Sequence, residues 1–359
     1  MRSEVECASN VRIRPSDTSL AVESGKAMTT RFLGSHGLAR LLDAAAPLRI
    51  LDIGARGGPT ADLRELGTTL DVFGFEPDPQ ECARLTQQYA QPGATHYRRV
   101  QFFPVALGRP ETCRTMYLTT HRGSSTLLKP IVEVGEAFGR PEFVVSETRT
   151  LDTVALDDFL RDAGIGAIDF MKMDVEGLEL EILETARELV STTLHVLRTE
   201  VAYIATREDQ PTAAEVDIFL RDFGFEPLDM LEMHHWRALS RRHHLKWDRH
   251  ATLPFSRGQL IHGDVLYVRS LRLLQQRPAA ERVRAAFLLL AYGFADYAYL
   301  LLNDAEVRRE CVEPLGVDLQ KEMRIASRSL ARRYRWDRLM RTVGLPRDLP
   351  VPSRPNRRR

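Results

Sequence analysis

The stretch 48–66, LRILDIGARGGPTADLREL, runs from an apolar segment into a glycine cluster and then into a helical pattern. LRILDIG reads as a short buried strand and ADLREL as the start of a helix. Glycine at such a hand-over permits positive φ and brings a ligand close to the backbone, and the amides that open the helix suit an anionic group. The spacing is D-x-G-x-x-G-G, through Asp52, Gly54, Gly57 and Gly58. That departs from the G-x-G-x-x-G of nicotinamide dinucleotide sites. An acid two residues before the first glycine suits a ligand with a cationic amino group.

Further along, DVFGFEP (71–77) reads as a second strand that ends on Glu76, 22 residues after Gly54. An acid at this strand end is placed to hold both hydroxyls of a ribose, with charged hydrogen bonds that contribute about 1.5–3 kcal/mol each. The ligand described so far has a ribose, an amino-acid-like end and no need of a phosphate cradle. S-adenosylmethionine fits that description. A third cluster, MKMDVEGLELEIL (171–183), ends a strand at Asp174 and places Glu176 and Gly177 in the turn that follows. Asp174 and Glu176 are expected to face the same cleft as Gly54 and Glu76, where one of them orients a substrate hydroxyl or accepts its proton. Glu179 and Glu181 read as solvated.

Strand and helix patterns alternate along most of the chain. VQFFPVALG (100–108), IDFMKMDVEG (168–177) and TLHVLRTEVA (193–202) read as strands. DPQECARLTQQYA (78–90), LDTVALDDFLRDAG (151–164), LELEILETARELV (178–190) and PTAAEVDIFLRDFG (211–224) read as helices. GDVLYVRSL (263–271) reads as a last strand. Such alternation predicts an α/β fold with a Rossmann-like, doubly wound, mostly parallel sheet, and a ligand site beyond the carboxyl ends of the strands. After residue 272 the pattern turns helical and rich in arginine and leucine, a C-terminal helical extension. The expected organisation is a mobile segment over 1–25, a catalytic domain over 26–272, a helical subdomain over 273–345 and a disordered basic tail over 346–359.

With 43% apolar and 28% charged residues and a net charge of +1, the 359-residue chain has the composition of a soluble globular protein rather than a polyanion trap. Four cysteines without CxxC spacing point to neither a zinc knuckle nor a disulfide scaffold. Together with an N-terminus that lacks an apolar signal core, they favour a cytoplasmic location. The most apolar run, FLLLAYGFADYAYLLL (287–302), is short for a membrane span and is interrupted by Asp296, so it reads as a buried or interface helix. An interface there is compatible with a homodimer through the C-terminal helices.

The string FMKMDVEGLELEIL resembles the hallmark of the FkbM-type family of S-adenosylmethionine-dependent methyltransferases. LDIGARGG, FEPD, PVALG, TLDTVALDDFL, LRTEV and GDVLYVR agree with that pattern in order and spacing, over about residues 45–270. The resemblance implies a class I methyltransferase fold, S-adenosylmethionine as cofactor, and methylation, commonly on oxygen, of a small molecule or saccharide. It implies a cofactor set of Asp52, Gly54, Arg56, Gly57, Gly58, Glu76, Pro77, Asp78 and Ala106. It places Asp174 and Glu176 at the active cleft, and it does not extend to the helices after 272.

A hydroxyl nucleophile must lose its proton during the transfer. Asp174 is the first candidate to accept it, with His234 or His235 the second. These histidines belong to the segment 232–258, which also carries His243, His244, His250, two tryptophans and several arginines. The segment reads equally as a substrate-gating loop for an acidic or glycosidic acceptor and as a solvated surface loop. Asp174, Glu176, Glu200 and a loop histidine could converge on a divalent metal, but without close ligand spacing a metal is not favoured. Nor is a nucleic acid partner, because the C-terminal arginines are interspersed with acids. Two other classes compete: an NAD-dependent oxidoreductase on a Rossmann-type fold, and a non-catalytic cofactor-binding module that uses the helical extension for assembly.

Overall fold

The computed structural model describes residues 22–23 and 31–343, apart from 92, 141–142, 239–241 and 243. The expected mobile N-terminal segment, save two residues, and the basic tail lie outside the described residues. The chain forms two compact units. Among the described residues, the first comprises 22–23, 48–61 and 70–274; the second comprises 31–47, 62–69 and 275–343.

Among its described residues the first unit is built on eleven strands: β1 (Val22–Glu23), β2 (Leu48–Ile53), β3 (Leu70–Phe75), β4 (Arg99–Phe103), β5 (Ala106–Leu107), β6 (Glu111–Thr119), β7 (Val145–Val154), β8 (Phe170–Met173), β9 (Val196–Ala202), β10 (Phe225–Trp236) and β11 (Gln259–Arg269). Eight of them form one sheet in the order β1-β4-β3-β2-β8-β9-β11-β10. The pairs from β4 to β9 are parallel. β11, β10 and β1 join antiparallel at the flanks. β5, β7 and β6 form a separate three-stranded sheet. Chain order reverses between β2 and β8, and such a switch point opens a crevice beyond the strand ends.

The central strands are apolar because both their faces are covered. Every residue of β3 is buried, and five of the six in β2. Leu51, Ile53, Phe75, Phe103, Met171, Met173 and Leu197 are among the residues that pack one continuous core. The crossover helices have local start signals. Helix α2 (Pro79–Ala90) is capped by the Asp78 carboxylate, which accepts the Gln80 amide, and has proline in its first turn. The helix Ala213–Asp222 starts on a capping box between Thr212 and Glu215.

Several elements differ from their sequence reading. The expected strand 100–108 breaks at Pro104, whose missing amide cannot continue a ladder, and Ala106–Leu107 pairs instead with β7. The expected helix 178–190 is two short helices, Glu179–Glu184 and Arg187–Thr192. β10 continues through His234 and His235 to Trp236, so the loop begins at 237 rather than 232. Cys113 is held in a disulfide, whereas Cys82 and Cys311 are free.

The second unit is helical. It contains His36–Ala45, Ala279–Ala291, Ala295–Leu302 and Leu319–Val343. The apolar run 287–302 is two helices joined at Gly293, which has φ +97°. Phe287 to Leu290 are fully buried, and the Phe32 ring meets Phe287 edge-on at 5.3 Å. Residues 31–47 and 62–69, expected in the catalytic domain, belong to this unit. No helix among the described residues is long and apolar enough to cross a membrane.

Candidate active site

β2 delivers the chain into a tight turn at the switch point. Gly54 has φ +80°, and a Cβ there would stand 2.0 Å from the Asp174 carbonyl oxygen at the end of β8. Only glycine lets the two strand ends approach so closely. The amides of Gly54 and Ala55 both donate to the Phe75 carbonyl, at 3.1 and 2.9 Å, which ties the turn to β3.

A cleft of about 230 Å³ opens over these strand ends. Gly54, Arg56, Glu76, Pro77 and Ala106 line it, and so do Asp174 and Glu176. Ile53, Phe75, Val105, Leu107 and Met116 give it apolar walls. Glu76 is buried, accepts the Asp78 amide at 2.9 Å and lies 3.8 Å from Arg56 Nε. Burial pushes its carboxyl above the ordinary range, opposed by the Asp78 amide and by Arg56. Arg56 Nη2 also donates to Asp78 at 3.0 Å.

Four expected cofactor residues stand outside the lining. Asp52 is buried beneath the turn, where its carboxylate accepts the Thr60 amide at 2.6 Å and sits 3.6 Å from Lys172 Nζ. Burial raises its pKa, while Lys172 opposes the rise. The Gly57 amide donates at 3.0 Å to the Glu81 carboxylate. Gly58 backs onto Tyr89, whose hydroxyl would lie 2.7 Å from a Cβ there. Asp78 is occupied as the cap of α2 and the partner of Arg56. Sequence spacing identified the turn but could not separate residues that line a cleft from those that build it.

The β8 turn supplies the other end. Asp174 is half exposed and lies 3.3 Å from Lys172 Nζ. Burial works against the Lys172 charge, but Asp52 and Asp174 overcome it and raise its pKa. Glu176 adopts φ +60°, a left-handed conformation that costs a non-glycine residue about 1–2 kcal/mol. Its carboxylate pairs with the Arg207 guanidinium, and its carbonyl accepts the Thr126 hydroxyl at 2.8 Å. Burial pushes the Glu176 carboxyl up to about 7 against the pull of Arg207.

Glu176 also lines a second chamber of about 40 Å³ with Ser124, Glu200, Arg207, Trp236 and His262. Gly123 and Ser125 line the first cleft and Ser124 the second, so one turn and one carboxylate wall both. His262 Nδ1 hydrogen-bonds the Glu200 carboxylate. Burial lowers the His262 pKa and raises that of Glu200 to about 8.

His234 and His235 line neither chamber. His234 stacks on His262 with ring centroids 4.5 Å apart and 11° between planes. Burial is the main cause that lowers its pKa. Both residues lie on a strand, not in a loop, because the hairpin pairs them with His262 and Leu260. The histidine that reaches the site is His262, on the partner strand. Glu179 and Glu181 are not solvated. Glu179 is buried, accepts the Val175 amide at 3.1 Å and is pushed up to about 8. Glu181 is paired with Arg114. Arg207 and His262 had no local sequence signal, since only the β9 and hairpin connections bring them to the β8 turn. Lys172 had one: it lies two residues before Asp174, on the same face of β8. Among the described residues, no group of three or more His, Cys, Asp or Glu side chains stands where it could hold a metal ion.

The fold is Rossmann-like, and its cleft opens at the switch point of the sheet. Residues 52–227, just under half of the chain, match the methyltransferase FkbM domain. The 2-O-methyltransferase NoeI of Sinorhizobium fredii (strain NBRC 101917 / NGR234) is 26% identical over 162 residues, 43% of this chain and 63% of that protein. The chain thus spans less than two thirds of that relative's length. Among solved structures, magnesium protoporphyrin IX methyltransferase from Synechocystis PCC 6803, with bound SAM, is 14% identical with a TM-score of 0.30. That similarity covers 65% of this chain and 76% of that one. The 16S rRNA (adenine(1408)-N(1))-methyltransferase D21A mutant from Catenulisporales acidiphilia is 13% identical with a TM-score of 0.33, covering 70% and 98%.

Proposed function

We propose that this methyltransferase uses S-adenosylmethionine to methylate a hydroxyl group of a small molecule or saccharide. The observation that carries the reading is the run of one cleft from buried Glu76 to Asp174 and Glu176, with the second chamber sharing its Glu176 wall. The residues present fit the cofactor. Gly54 leaves the backbone bare, Glu76 offers a carboxylate suited to ribose hydroxyls, and the apolar walls suit a flat ring. The 2-O-methyltransferase named above supports oxygen as the acceptor atom.

S-adenosylmethionine supplies a methyl group already activated on a sulfonium. The protein's part is to align the acceptor, exclude water and take up a proton, and positioning alone can supply about 7–11 kcal/mol. Asp174, half exposed at the mouth of the cleft, is our proton acceptor for the hydroxyl. Glu176 is fixed by Arg207 and orients the acceptor from the shared wall. His262, backed by Glu200, is the alternative base and replaces His234 and His235 in that role.

Calorimetric titration with S-adenosylmethionine, with NAD as a parallel control, tests the cofactor. Micromolar binding of the first alone is expected, and binding of NAD alone would overturn the reading. Labelled methyl transfer to a panel of saccharides and small phenols, with and without magnesium, then tests the acceptor.

A further inference from the structure

Between β10 and β11, the described residues 244–258 are built to hold apolar side chains outward. Their backbone is pinned from within. The buried Arg237 guanidinium donates to the carbonyls of Leu245, Leu253 and Pro254. The Asp248 amide donates to Pro254 at 2.8 Å and the Ser256 amide to Lys246 at 3.0 Å. Trp247 and Phe255 pair as an antiparallel bridge. Residues opposite one another in such a bridge project to the same face. Yet Trp247 is 65% exposed, Phe255 62% and Leu253 68%.

The exposed charges among the described residues of this segment are of one sign. Lys246, Arg249 and Arg257 are exposed. The one acid in 237–258 is Asp248, which is buried and spends a carboxylate oxygen on the His250 amide. Arg249 makes its hydrogen bond to His250, not to an acid. Scattered exposed apolar residues are ordinary. A tryptophan, a phenylalanine and a leucine together on a pinned loop with a basic rim are not. A double-stranded polyanion would engage the cations and leave the apolar side chains in water, and a single strand stacked on the two rings would still leave Leu253 there. A second copy of a chain with net charge +1 offers no excess of acid to match the rim. An anionic lipid surface uses both features, because tryptophan and phenylalanine settle at the headgroup boundary while lysine and arginine meet the phosphates.

We propose that 244–258 is an arm that seats the protein on an anionic lipid surface. Trp247, Leu253 and Phe255 enter the headgroup boundary, and Lys246, Arg249 and Arg257 neutralise lipid phosphates. The proposal does not depend on the methyl acceptor. If the acceptor reading also holds, the arm gives the second chamber access to acceptors carried at that surface, because Trp236 and His262 at its root line that chamber.

The test is co-sedimentation of the full chain with phosphatidylcholine vesicles, with and without phosphatidylglycerol, alongside tryptophan fluorescence. Binding is expected only to the anionic vesicles, with a blue shift that Trp247→Phe removes. Trp247→Ala, Leu253→Ser and Phe255→Ser should each weaken partitioning by about tenfold. Lys246→Gln and Arg249→Gln should each weaken it by about fivefold. All five side chains are exposed, so thermal melts and S-adenosylmethionine binding should match the parent. No binding to anionic vesicles, or binding unchanged in the combined apolar variant, overturns the proposal. So does lipid-free self-association that the apolar variant abolishes, or binding to heparin or nucleic acid without binding to vesicles.

Discussion

Replacing Glu179 by glutamine should stabilise the protein, and increasingly so as the pH rises. Glu179 is buried at the start of its helix and is pushed from 4.5 up to about 8, first by burial and then by the charge of Glu200. Its folded pKa lies above its unfolded one. Its contribution to stability is therefore complete below pH 4.5 and is lost as the pH rises through 8. Raised that far, the carboxyl weakens folding at alkaline pH by on the order of a few kcal/mol. Glu200 belongs to the same cluster and is raised to about 8 as well, and it shares that cost. The gain from one substitution is then about 2–4 kcal/mol at pH 8. Glutamine keeps the oxygen that accepts the Val175 amide. At about 2–4 °C per kcal/mol the variant should melt on the order of ten degrees higher at pH 8 and level with the parent at pH 4.5. Thermal unfolding followed by far-UV circular dichroism across that range is the assay. A difference in Tm that does not change with pH would refute the argument, because it would mean that Glu179 is ionised in the folded state.

Three further outcomes follow from the cleft. Gly54→Ala must move backbone, since its Cβ would meet the Asp174 carbonyl at 2.0 Å. It should cost about 2–4 kcal/mol in denaturant unfolding and abolish cofactor binding, and a variant of parental stability would contradict the packing described. Glu76→Gln keeps an acceptor for the Asp78 amide but removes the charge. It should weaken S-adenosylmethionine binding by about tenfold or more in calorimetry at a Tm no lower than the parent's, and equal affinity would take Glu76 out of the cofactor site. Arg207→Met strands the Glu176 carboxylate and should cost about 3–5 kcal/mol, less at low pH where Glu176 is protonated, as urea unfolding at two pH values would show.

Local pattern carried the fold a long way. The apolar runs of β2, β3 and β8 and the caps of the crossover helices are written in contiguous residues, so the parallel sheet and its strand-end turns were legible. What was not legible is set by distance along the chain. The pairing of β10 with β11 carries His234 and His235 away from the cleft and puts His262 in it, and no spacing rule reports that. The burial of Glu179 depends on the core around Val175, which makes a helix-start carboxylate look solvated when read alone. The grouping of 31–47 with the C-terminal helices rests on contacts such as Phe32 with Phe287. Gly57 was expected at the cofactor, yet its amide is taken by the Glu81 carboxylate, and the sequence carries no sign of that pairing.

Glu176 offers the sharpest test of whether the shared wall serves chemistry rather than folding. The position takes φ +60° and is followed by Gly177 at +111°, a turn that glycine would adopt without strain. Glutamate there adds a left-handed penalty of about 1–2 kcal/mol. It adds the desolvation that drives its carboxyl up to about 7, and that cost needs Arg207 to offset it. A backbone selected for stability alone has no use for this carboxylate. Removing it with its partner, as Glu176→Gly with Arg207→Met, relieves the strain without leaving either charge stranded. The double variant should therefore unfold at or above the parental midpoint, gaining about 1 kcal/mol or more from the turn. Methyl transfer should meanwhile be lost, with S-adenosylmethionine binding retained through Glu76 on the far side of the cleft. If the double variant is instead much less stable and still turns over, the Glu176–Arg207 pair is a structural clamp. The catalytic wall would then have to be rebuilt around Asp174 alone.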